Sequence, residues 1–129
     1  MENQDEYHGI VMDASQKDKS IFERLDVIGR KKVALGAVCV VKLRVKSADL
    51  EKTISDLRAN MADRFLALFK NFYVHFYRGD EVIAAFKDKV FHMTTNKSTW
   101  NEAIVHGRGL GIPERQLDFF PCRIGDETY

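Results

Sequence analysis

Apolar and polar positions follow a two-residue period in two long stretches of the chain and a helical period between them. From Lys32 to Lys46, Cys39, Val41, Leu43 and Val45 fall on one side, and Lys42, Arg44 and Lys46 on the other. From Phe72 to Met93 the alternation resumes through two tight turns, at Gly79-Asp80 and around Lys87-Asp88. Both patterns are those of strands, whose successive side chains point to opposite faces. Between them Leu50, Ile54, Leu57, Met61 and Leu68 form an amphipathic stripe, which predicts a long helix over 48–69. Ser47 is its N-cap, and Asp49 and Glu51 suit the positive end of its dipole.

The flanks read similarly. Gly9-Ile10-Val11-Met12 is a short strand. Ser20 and Glu23 have capping-box spacing and predict a short helix bearing Ile21, Phe22, Leu25 and Ile28, ending at Gly29. Asn96 or Ser98 caps a helix through His106, which Gly107, Gly109 and Gly111 break, and Pro113 suits the first turn of another short helix over 114–118. Strand, long helix, three-stranded meander and helix make an α+β domain, with helices packed on one face of an antiparallel sheet. The expected layout is ferredoxin-like or a related sandwich. It is one domain over 1–129, with residues 1–7 as a loose tail.

An antiparallel sheet with one wet face alternates apolar with polar residues. Here Phe72, Val74, Phe76, Ile83, Ala85 and Val90 point to the helices, yet the second face collects Tyr73, His75, Tyr77, Val82, Ala84, Phe86, Phe91 and Met93. That face must meet another element, another subunit or a ligand. The expectation is a non-catalytic domain that forms a homo-oligomer or binds a small molecule through it.

Composition narrows the partners. The 129 residues are 45% apolar and 30% charged, a globular balance, and 20 basic against 19 acidic residues leave a net charge of +1. Nucleic-acid proteins usually carry a marked basic excess. The acidic opening Met1–Glu6 has no signal-peptide character, and no apolar run approaches the roughly 20 residues that span a bilayer. A cytoplasmic protein without membrane partners is expected. Cys39 and Cys122 lack metal or redox spacing and read as reduced thiols.

The candidate site residues are Tyr73, His75, Tyr77, Phe86 and Phe91, with Lys42 and Arg44 on a neighbouring strand. His75 could serve an enzyme with a His/Tyr pocket, but no carboxylate stands at a spacing that would orient its ring, so binding is preferred to catalysis. Lys70–Tyr77 superficially follows the RNA-recognition signature, with Asn71 and Tyr73 where small residues belong. Lys42 and Arg44 could add phosphate contacts for single-stranded RNA, the second alternative. His92 reads as a core histidine, and His8 and His106 are isolated, as are the carboxylates Asp88 and Asp118. No metal or cofactor motif is present in the spacing. Gly107-Arg108-Gly109-Leu110-Gly111 follows a helix rather than opening one, so it is a helix end and not a phosphate loop. Val74–Tyr77, Phe86–Phe91 and Gly111–Phe119 together resemble a group of small uncharacterised prokaryotic proteins. That resemblance implies a prokaryotic cytosolic setting and brings no activity with it.

Overall fold

The computed structural model describes residues 5–65 and 69–129. Its strands are β1 (Glu6–Met12), β2 (Asp26–Val33), β3 (Val38–Lys46), β4 (Arg64–Phe65), β5 (Phe69–Lys70), β6 (Tyr73–Arg78), β7 (Glu81–Phe86) and β8 (Val90–Thr94). The α-helices are α1 (Leu50–Ala59) and α2 (Asn101–Gly109). Six strands form one sheet in the order β2-β3-β1-β6-β7-β8, every neighbour antiparallel, and β4 pairs with β5 apart from it. The α+β class and the β6–β8 meander therefore stand.

Two cores lie on opposite faces of this sheet. The first joins α1, through Leu50, Ile54 and Leu57, to Val11, Val41, Leu43, Val45, Val74, Phe76, Ile83 and Ala85. Gly9 sits opposite Phe76 in the β1–β6 ladder, and a Cβ there would lie 2.4 Å from the Phe76 ring, so glycine is what lets that ring cross the central strand. The second core joins Val82, Ala84, Phe86, Phe91 and Met93 to Trp100, Ala103, Ile112, Leu117 and Phe119. The division of β6, β7 and β8 into two faces follows the sequence reading. The packing of the helices does not, because α2 covers the face opposite α1.

Four boundaries also differ. The helix expected over 48–69 ends at Ala59, although its stripe continues to fully buried Met61. The Asn60 side chain exchanges hydrogen bonds with the Asp18 backbone and donates to Gln16 Oε1, while buried Gln16 donates to the Leu57 carbonyl at 3.2 Å. Met61 then bridges Gln16. These long-range bonds satisfy the groups that another helical turn would have used. Leu68 lies outside the described residues. Lys32–Lys46 is a hairpin and not a single strand, turning at Leu35 (φ 57°) and Gly36 (φ 86°). Asp18, not Ser20, caps a 3-10 helix over Lys19–Arg24, and Gly29 lies inside β2, where a register shift follows Val27. Glu6 and Tyr7 belong to β1, with Tyr7 buried, rather than to a loose tail.

Candidate functional site

The middle of the second face is built by three strands. Across β3, β1 and β6, Lys42 opposes Ile10, which opposes His75, and Arg44 opposes His8, which opposes Tyr77. Met12 opposes Val40 one step further along. Opposed residues share a face, so these side chains form rows beside the second core.

Most of the aromatic face is covered by the chain itself. Phe119 is fully buried, with its ring centroid 5.1 Å from Tyr73, 6.0 Å from His75 and 5.2 Å from Trp100. The Tyr73 hydroxyl donates to the Gln116 carbonyl. Tyr77 and Phe86 have no exposure, and Phe91 is buried against α2, where its ring and that of Phe86 meet His106. The apolar patch that argued for self-association is thus occupied by α2 and residues 112–129.

An opening of 420 Å³ remains between the three-strand rows and the covering segment. Half-buried Ile10, Met12, Val33 and Val40 line it on the sheet side with Tyr73 and His75, and there Met12, Val33 and Phe72 also belong to or pack against the first core. Ile112, Gln116, Asp118 and Phe120 line it opposite, Phe120 standing 54% exposed. His75 donates from Nε2 to the Pro121 carbonyl at 2.9 Å. Burial pushes its pKa down to about 4, against weaker upward pulls from that bond and from Asp118. The ring is neutral at pH 7, with Nδ1 as an acceptor.

Beside the opening, one carboxylate gathers three polar side chains. Glu127 Oε2 meets His8 Nδ1 at 2.6 Å and accepts from the Tyr77 hydroxyl, while Oε1 accepts from Lys42 Nζ at 3.4 Å. Lys42 Nζ also lies 4.7 Å from the Tyr129 ring centroid. Burial first, and then the Glu127 contact, hold the Tyr77 phenol well above its ordinary pKa. Lys42 and Arg44 do share a sheet face with Tyr73 and Tyr77, but Lys42 is buried in this cluster and exposed Arg44 pairs with Asp26 at 2.8 Å.

The remaining candidates fall elsewhere. Asp88 and His106 are not solitary: Asp88 Oδ1 lies 2.8 Å from His106 Nε2, and that bond holds the Asp88 carboxyl below its ordinary range. Eighteen residues and a chain reversal separate them, so no spacing could reveal the pair. His92 is exposed instead of core. Both cysteines are free, and burial raises the Cys122 thiol, which disfavours its reactive thiolate. Among the described residues no group of three metal-ligating side chains converges. A larger depression of 620 Å³ is lined by a seam of opposed charges, Arg24, Asp26, Arg44, Asp49, Lys52 and Asp56, together with Ile21, Leu25 and Val45.

Sequence reasoning missed Glu127 and Tyr129, because nothing in Asp126–Tyr129 forms a motif; only the unpaired polarity of His8 and Lys42 on a largely apolar face was a signal. No helix among the described residues is long and apolar enough to cross a membrane. The chain has no significant match among family models, curated proteins or solved structures.

Proposed function

We propose that this protein is a small-molecule-binding domain that takes a mainly apolar ligand into the groove on its second sheet face. The observation that carries this is the half-buried aliphatic floor of Ile10, Met12, Val33 and Val40 beside neutral, buried His75 in a 420 Å³ opening. Small-molecule sites are commonly concave, apolar and furnished with a few polar groups, at about 300–1,000 Å³. A half-covered aliphatic floor gains by burial, and His75 offers one acceptor for orientation.

Binding is preferred to catalysis because an imidazole with a pKa of about 4 is a weak base at neutral pH. Single-stranded RNA would need open rings to stack on, whereas Tyr77 is fully covered and Lys42 is engaged by Glu127.

A neutral solvatochromic dye, Nile red, titrated by fluorescence is the test. Met12→Trp puts a large ring into the groove from a half-buried strand position. It should weaken dye binding by about tenfold or more, with folding checked by circular dichroism. Equal affinity in a folded Met12→Trp variant would refute the groove as the binding site.

A further inference from the structure

We propose that the ligand of this groove is a monocarboxylic acid with an apolar body, and that the Glu127 carboxylate fills its headgroup seat until displaced. The inference rests on the groove being the ligand site and adds to it the chemical class of the ligand. Its basis is the convergence of Lys42 Nζ, His8 Nδ1 and the Tyr77 hydroxyl on the two oxygens of one carboxylate. Lys42 and Tyr77 are 5% and 0% exposed, so the seat is built from side chains with little access to water. A buried ammonium needs an anionic partner. Any anion that replaces Glu127 must therefore bring an equivalent charge, and a carboxylate does so with the same donors.

The seat adjoins the groove. Lys42 stands directly across from Ile10, and Ile10 directly across from His75, both groove residues. A ligand whose carboxylate sits at Lys42 thus has its first carbons beside Ile10 and the rest of its body over Met12 and Val40. Asp118 lines the groove beside Tyr73 and His75, while Asp126 stands near Tyr77 together with Glu127. Glu127 belongs to no strand or helix, and its segment is anchored here by this carboxylate and by the Tyr129 ring over Lys42. Exchange of one carboxylate for another keeps Lys42 compensated, and the incoming molecule additionally covers the aliphatic floor.

The test titrates octanoate and 1-octanol into the full chain and into Glu127→Gln, by calorimetry and by melting temperature. Gln keeps the size of the side chain but leaves Lys42 without an anion. Octanoate should bind Glu127→Gln about tenfold or more tightly than it binds the unaltered chain, and should raise the melting temperature of the variant. 1-Octanol should bind both proteins alike. If octanol binds both while octanoate gains nothing from the substitution, the carboxylate seat is overturned and the apolar groove survives. If neither compound binds either protein, the groove reading fails and this inference falls with it. Should Glu127→Gln not fold, Tyr129→Ala loosens the same segment and leaves His8, Lys42 and Tyr77 in place. It too should bind octanoate more tightly than the unaltered chain, and no gain there overturns the inference.

Discussion

Phe119 and Phe120 are consecutive, chemically identical and opposite in burial, which makes them a sharp test of how the second face is closed. Phe119 is fully buried and meets Tyr73, His75 and Trp100, while Phe120 is 54% exposed at the groove rim. Phe119→Ala forfeits roughly 1.5–3 kcal/mol of side-chain transfer. It also loses aromatic edge contacts of about 0.5–1.5 kcal/mol each, which are not additive. The cavity left behind brings the expected total to about 3–5 kcal/mol. Phe120→Ala should cost no more than about 1 kcal/mol, since much of its ring is already in water. Urea denaturation at pH 7, with midpoints compared at equal slopes, measures both. A Phe119→Ala loss below about 1 kcal/mol would refute the packing of residues 112–119 on the aromatic face, and equal losses for the two variants would do the same.

The first core makes a parallel claim: Leu57→Ala should cost about 2–5 kcal/mol, whereas exposed Lys52→Ala should stay within about 0.5 kcal/mol, by the same denaturation assay. Leu35 is fully exposed at φ 57°, so Leu35→Asn should stabilise the hairpin by about 1 kcal/mol, and a loss of stability would contradict the turn geometry. His75 has a folded pKa of about 4 against an ordinary 6.5, so between those values the unfolded chain binds the extra proton. Stability from this group is therefore present above pH 6.5 and falls as the pH drops toward 4, by about 3 kcal/mol at most. Denaturation midpoints at pH 7 and 4.5 should diverge less in His75→Gln than in the unaltered chain.

Periodicity exposed the faces of the sheet but not what covers them. Phe72–Met93 was legible because a strand's two-residue period assigns every side chain to a side, and tight turns at Gly79-Asp80 and Lys87–Lys89 preserve the phase across three strands. The stripe of α1 was legible for the same kind of reason, yet its end was not. Met61 keeps the apolar spacing, while the backbone there is claimed by Gln16 and Asn60 from and across a distant loop. The Leu35-Gly36 turn was hidden because leucine is a poor turn residue and the run 33–41 contains no polar side chain to mark a reversal. The two-residue period puts Lys42 on the correct face but not its partner, since Glu127 is 85 positions away. Local sequence carries no record of such a partner, and Asp88 with His106 repeats the lesson at a shorter range.

The most direct test of a ligand groove on the second face is a methyl-detected NMR titration with 1-octanol, following Ile10, Met12, Val33 and Val40 against the methyls of the α1 core. Saturable shifts confined to those four residues and to Ile112 are the expected result. Shifts spread over Leu50, Ile54 and Leu57, or centred on Ile21 and Leu25 beside the charged seam, would contradict it.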